Sequence, residues 1–305
     1  MEQEREFTVS EKEAGIRLDV CLAGRFPEFT RSYLQKLCKN ASVSVEGTAK
    51  KSNYKVTEGE RVVLAVPEPA ELSVKPEKMD LDIVYEDQDI ILINKPKGMV
   101  VHPAPGHYEG TLVNGLMEHC KDDLSGINGV LRPGIVHRID KDTTGILMIC
   151  KNDMAHKCLA KQLKDHTITR RYHAIVYHNI KEDSGTVDAP IARSRKDRKK
   201  MAVDRETGRN AVTHYRVLKR LKEGFTYIEC SLETGRTHQI RVHMASIGHP
   251  LLGDTVYGPK KSKYSLEGQC LHAKVLGFVH PRTKEYMEFE SELPVYFEEL
   301  LNRLS

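Results

Sequence analysis

The chain has 305 residues, of which 39% are hydrophobic and 30% charged. That length suits two domains, and that composition excludes wholesale disorder. No run of about 18 apolar residues occurs, so no transmembrane helix is expected. The acidic start MEQEREFTVSEKE lacks the basic and apolar regions of a signal peptide, which makes the cytoplasm the expected location. Seven cysteines, at 21, 38, 120, 150, 158, 230 and 270, include no CxxC pair. A disulfide framework and a thiolate zinc site are therefore not expected.

Residues 1–13 read as a polar lead-in. Residues 14–66 read as a small α/β unit. RLDVCLAGRF brings Leu18, Cys21 and Leu22 to helical spacing, and Thr30 is placed to cap a second helix, RSYLQKLCKN, with Tyr33, Leu34 and Leu37 as its stripe. SVSVEG and GERVVLAV read as strands. Residues 67–80, PEPAELSVKPEKMD, carry three prolines and read as a linker. From 81 to 305 the pattern is mostly strands: DIVYED, IILINK, GIVHRI, GILMIC, RRYHAIVY, NAVTHYRVL and TYIECSLE. Short polar or glycine-containing turns between them predict an α+β domain on a mainly antiparallel mixed sheet with flanking helices. Helices are expected at 153–165 and 237–247, and an exposed loop at 260–269.

The net charge of +4 is modest, but its distribution is uneven. Residues 14–64 carry nine Lys/Arg against five Asp/Glu, and RSRKDRKK at 193–200 holds six bases and one acid. Such clusters can neutralise phosphates, or can be ordinary solvated faces.

The segment GIVHRIDKDTTGILMIC concentrates the chemistry. Read as a strand, 134–139 places Val136, Arg138 and the terminal Asp140 on one side, with His137 opposite. Asp140 then precedes the polar turn 141–144 and a second strand. An EF-hand calcium loop beginning at Asp140 would need an acid at its twelfth position, and Lys151 stands there. A surface ion pair and a plain turn remain open on the residues alone. His238 and His243 have no third nearby ligand, so no metal is expected. No phosphate loop or dinucleotide fingerprint occurs, and no cofactor is expected.

HRIDKDTTG resembles the signature of the RluA-type pseudouridine synthases. The resemblance extends through IVYEDQDIILINKPKGMVVHPAPG at 83–106, RRYHAIVY at 170–177, LETGRTHQIRVHMASIGHPLLGDTVYG at 232–258 and LHAKVLGFVHP at 271–281. Its departures are small: Thr at 144, and Ile at 139 and 240. It implies the pseudouridine synthase fold and isomerisation of uridine to pseudouridine. It also implies a catalytic Asp140 attacking either the ribose carbon or the pyrimidine ring, Arg241 against that carboxylate, and Tyr172 against the target base. Arg138 would fill the gap left by the extruded uridine. The segments RLDVCLA, RSYLQKLCKNASVSVEG and K-V-x-x-G-E at 55–60 resemble the RNA-binding module named for small-subunit ribosomal protein four. That module would let Arg31, Lys36, Lys39, Lys50 and Lys51 grip a phosphate backbone. HPAPGHYEGTLVNGL and GVLRPGIVHRIDKDTTG look most like the RluD branch, which acts on large-subunit ribosomal RNA. The expected partner is thus large-subunit ribosomal RNA or its precursor particle, bound by a monomer without membrane or cofactor. Rival readings are a transfer RNA pseudouridine synthase of the same family, a non-catalytic RNA-binding or ribosome-assembly protein, and a metal-assisted nucleic-acid hydrolase.

Overall fold

Short apolar strands with turn residues between them build three sheets among the described residues, of four, two and nine strands. In the computed structural model of the protein, residues 3–66, 74–103, 107–121, 123–127, 132–198, 200–261, 263–264 and 266–305 are described. The chain divides into two compact units, Met1–Leu72 and Ser73–Ser305. Of the expected linker, residues 67–73 lie outside the described residues. Val74 is buried in the larger unit's core.

The smaller unit runs β1 (Gln3–Thr8), α1 (Leu18–Arg25), α2 (Arg31–Lys39), β2 (Val43–Val45), β3 (Thr48–Ala49) and β4 (Arg61–Val66). Its antiparallel sheet has the order β1-β4-β2-β3, so the polar lead-in is an edge strand of this unit. Leu18, Cys21 and Leu22 from α1 and Leu34, Leu37 and Cys38 from α2 bury against Val43, Val45, Val62 and Leu64. The Thr30 side chain caps α2 by accepting from the Tyr33 amide at 3.3 Å.

The larger unit continues with β5 (Ile83–Glu86), β6 (Ile90–Lys95), α3 (Leu112–Cys120), β7 (Thr144–Cys150), α4 (Asp153–Lys164) and β8 (Thr169–Tyr177). Then follow β9 (Ser184–Asp188), β10 (Ile191–Arg193), β11 (Met201–Val203), β12 (Val212–Leu221), β13 (Phe225–Leu232), α5 (Gln239–Ser246), β14 (Leu271–Val279), β15 (Tyr286–Glu290) and α6 (Val295–Leu304). The main sheet has the order β5-β6-β7-β14-β8-β13-β12-β9, with β15 beside β14. Among the described residues only its β7–β14 pairing is parallel; the others are antiparallel. The mixed, mainly antiparallel α+β expectation is borne out. β10 and β11 form a separate hairpin.

Three local readings need correction. Residues 134–139 are not a strand: among the described residues they form a single isolated bridge with the sheet, Ile135 to Ile149. The edge of β7 beyond that point belongs to β14, so the segment must leave the sheet. The helix expected over 237–247 spans only Gln239–Ser246: its N-cap is His238 in a left-handed conformation (φ 58°), and Ile247 lies past the helix, exposed. Within 260–269, Tyr264 and Gln269 are buried. β7 and β14 meet at Gly145, where a Cβ would stand 2.3 Å from the Ala273 carbonyl oxygen and φ is +107°. Only glycine fits there.

Candidate active site

The departing segment 136–140, the inner end of β8 and the start of α5 enclose a cavity of about 480 Å³. Asp140 stands on its wall just before β7. The turn that carries it is fastened from below. The buried Lys95 donates to the carbonyl oxygens of Pro96 (2.7 Å), Met99 (3.0 Å) and Lys141 (2.8 Å), using all three ammonium hydrogens. Burial lowers the Lys95 pKa to about 7. Gln269 donates to the Thr143 hydroxyl at 3.0 Å, and the Thr144 hydroxyl lies 2.8 Å from His272 Nδ1.

Arg241 faces Asp140 across the cavity, its Nη1 donating to Asp140 Oδ2 at 2.9 Å. The guanidinium is itself held by a fork: Nε donates to Asp254 Oδ2 at 2.7 Å and Nη2 to Asp254 Oδ1 at 3.0 Å. Burial alone would raise the Asp254 pKa, but the hydrogen bonds and charge of Arg241 outweigh it and hold the carboxyl below its usual value. Asp254 Oδ1 also accepts from the Val256 and Tyr257 amides, at 2.9 and 3.0 Å. That turn brings the Tyr257 ring against the guanidinium, 5.2 Å from its central carbon. The Tyr257 hydroxyl accepts from the Met201 amide at 2.9 Å and lies 2.9 Å from His238 Nδ1. His238 Nε2 is 3.9 Å from Asp140 Oδ2. An arginine shared by two carboxylates, one of them fully buried, is a preorganised electrostatic site.

The cavity also brings in Tyr172 and Arg138. Tyr172 is central in the sheet, paired with Cys230 and Ala273, and its ring is almost wholly buried. Burial raises its pKa. Arg138 is exposed, with Nη1 donating to His102 Nε2 at 3.5 Å. His137 turns back to the sheet, and its Nε2 accepts from the Met148 amide at 3.0 Å. Burial and the nearby Arg170 lower its pKa to about 3, and the residue also lines the cavity. His243 is likewise buried, between the Thr213 hydroxyl and the Ala189 carbonyl.

The other candidate residues lie elsewhere. In the smaller unit Lys36, Lys39 and Lys51 are exposed, and Lys50 lies over the Tyr54 ring at 5.0 Å. Arg31 instead donates to the buried Asp19 at 3.0 Å, together with Arg17 and Gln35, so part of its guanidinium serves the fold. In 193–200, Arg195 pairs with Asp204 and Glu206. Asp87, Asp89 and His280 bring ligand atoms together, but Arg282 forks onto Asp89 at 2.7 Å through both nitrogens. Asp87 already accepts from Tyr85, His280 and two amides, so the cluster reads as an ion-pair network. The sequence did not reveal Asp254, Tyr257 or the place of His238. An Asp three residues before Tyr257 signals a turn, but nothing local signals the arginine it holds.

A family model described as RNA pseudouridylate synthase matches residues 89–246, the span that holds Asp140, Tyr172 and Arg241. The chain is 58% identical to the uncharacterized RNA pseudouridine synthase YlyB of Bacillus subtilis, over 98% of this chain and 97% of that protein. The chain belongs to the RluA-type family of RNA pseudouridine synthases. Ribosomal large subunit pseudouridine synthase D of Zymomonas mobilis is 47% identical over 94% of this chain and 93% of its own length. Among solved structures, human RNA Pseudouridylate Synthase Domain Containing 1 matches with a TM-score of 0.58 at 24% identity. It covers 74% of this chain and 86% of its own, a likeness of fold. Pseudouridine synthases are isomerases acting on RNA uridine.

Proposed function

We propose that this pseudouridine synthase modifies uridines of large-subunit ribosomal RNA and that Asp140 is its catalytic carboxylate. The observation that carries the reading is the Asp140–Arg241–Asp254 arrangement on the wall of a cavity of nucleoside size. Arg241 holds Asp140 Oδ2, and no hydrogen bond fixes Oδ1 among the described residues, so one carboxylate oxygen is available to the substrate. The bond from C1′ to N1 breaks, the uracil turns, and a bond from C1′ to C5 forms. The proton leaves C5 and N1 gains one, so no atom is added or lost. The carboxylate supports the transient adduct and the proton transfer. Tyr172 offers a buried ring on which the uracil stacks, while Arg138, exposed beside the cavity, takes the place of the base in the RNA stack.

The ribosomal assignment is supported by the relatives named ribosomal large subunit pseudouridine synthase D, from Zymomonas mobilis and Pseudomonas aeruginosa. The unit over 14–66 acts as an RNA-holding module through Lys36, Lys39, Lys50 and Lys51, with Arg31 contributing its unpaired hydrogens. The test is a map of pseudouridines in total RNA from cells with and without the gene. Loss of sites from large-subunit ribosomal RNA is expected. Loss confined to transfer RNA, or no loss, overturns the substrate assignment.

A further inference from the structure

The chemistry derived for the cavity leaves one of its charged groups unused. Arg170, two residues before Tyr172 on β8, lines the cavity although the residue is only 7% exposed. Its Nη2 donates to the Glu233 carbonyl oxygen at 2.9 Å. Its Nε is buried with no partner, and no carboxylate pairs with it among the described residues. The Glu233 carboxylate is engaged by His214, and Asp140, the one acid among the described residues lining the cavity, is held by Arg241. Burial lowers the Arg170 pKa; Tyr172 acts the other way, and the nearby Arg236 charge adds to the lowering. A guanidinium withdrawn from water without a counter-charge is costly to keep. Gly235 leaves room for it: a Cβ there would stand 2.8 Å from Arg170 Nη1. Lys164 and Arg236 line the same cavity.

We propose that Arg170, with Arg236 and Lys164 beside it, forms a phosphate subsite that receives a backbone phosphodiester next to the target uridine. A uracil carbonyl would satisfy a hydrogen bond but leave the charge uncompensated; a phosphate does both. The inference rests on the cavity being the uridine site.

The test compares full-length wild type with Arg170→Met, which keeps the aliphatic stem, and Arg170→Lys, which keeps the charge. Melting is followed with added inorganic phosphate against chloride at equal ionic strength. Phosphate raises the wild-type Tm, raises that of Arg170→Lys in part, and leaves Arg170→Met unmoved. Without phosphate, Arg170→Met melts no lower than wild type, because an unpaired buried charge has been removed; a purely structural arginine would give a lower Tm. An equal phosphate response in wild type and Arg170→Met, including no response in either, overturns the subsite. So does a lowered Tm of Arg170→Met in chloride. On an unmodified large-subunit ribosomal RNA transcript, the log–log salt slope of binding falls by about one in Arg170→Met. A retained phosphate difference with no change on this RNA supports the subsite and places the failure in the choice of RNA.

Discussion

Asp254→Asn is the most informative substitution that leaves Asp140 and Arg241 in place. Asp254 is fully buried as a side chain, and its two oxygens accept from Arg241 Nε, Arg241 Nη2 and the amides of Val256 and Tyr257. An amide of the same shape keeps one of those oxygens and turns an NH₂ either toward Arg241 Nε or toward Arg241 Nη2 and the two backbone N–H groups. Removing one partner of a buried ion pair costs about 3–5 kcal/mol. Arg241 keeps one carboxylate, Asp140, and this softens the loss, so we expect a stability decrease of about 3 kcal/mol by urea unfolding. Freed of its fork, Arg241 no longer holds the geometry at Asp140. Single-turnover pseudouridine formation should fall on the order of 100-fold, with RNA affinity changed less than about threefold, since the affinity rests on phosphate contacts. A variant with wild-type turnover would refute the idea that Asp254 positions Arg241. So would an RNA affinity that falls in parallel with the rate.

Three further outcomes are expected. Tyr172→Phe keeps the stacking ring and should bind substrate RNA as wild type does, whereas Tyr172→Leu should weaken the Michaelis complex by about 1–3 kcal/mol; equal KM values for the two variants would remove stacking from the account. Gly145→Ala places a Cβ against the Ala273 backbone in a left-handed conformation and should prevent soluble folded expression, read by far-UV circular dichroism. Burial, aided by nearby cationic charge, holds His102 near 4, His137 near 3 and His272 near 4, below the ordinary 6.5. The unfolded chain therefore binds more protons below pH 6.5, and stability falls with pH through that window by up to about 1.4 kcal/mol per pH unit for each histidine. A urea midpoint at pH 5.0 equal to that at pH 6.5 would contradict this.

The β5–β6 and β12–β13 pairs were legible because their strands are apolar-rich and follow one another across short turns. The β7–β14 pairing was not, since its two strands are far apart in the chain and only tertiary contact makes them parallel neighbours. Residues 134–139 have strand composition, but β14 already occupies the edge they would use. The expected alternation was kept only in part: the His137 ring reaches back to the Met148 amide, yet His137 and Ile139 line the cavity together with Val136, Arg138 and Asp140. α3 was hidden by Gly115, which looks like a breaker and instead makes room for Met79. Asp140, Arg241 and Tyr172 came from ordered motifs, and the structure brings them into one cavity. Asp254 and Arg170 stayed hidden for opposite reasons. The first matters for a partner it meets only in the folded state, and the second for a partner it lacks there.

Whether Asp140 carries the chemistry can be read in cells. Cells lacking the gene are complemented with wild type or Asp140→Asn at equal expression, and pseudouridines are mapped in large-subunit ribosomal RNA. Wild type should restore every lost site, and Asp140→Asn should restore none while still binding the RNA. Restoration by Asp140→Asn to wild-type levels would contradict a chemical role for Asp140.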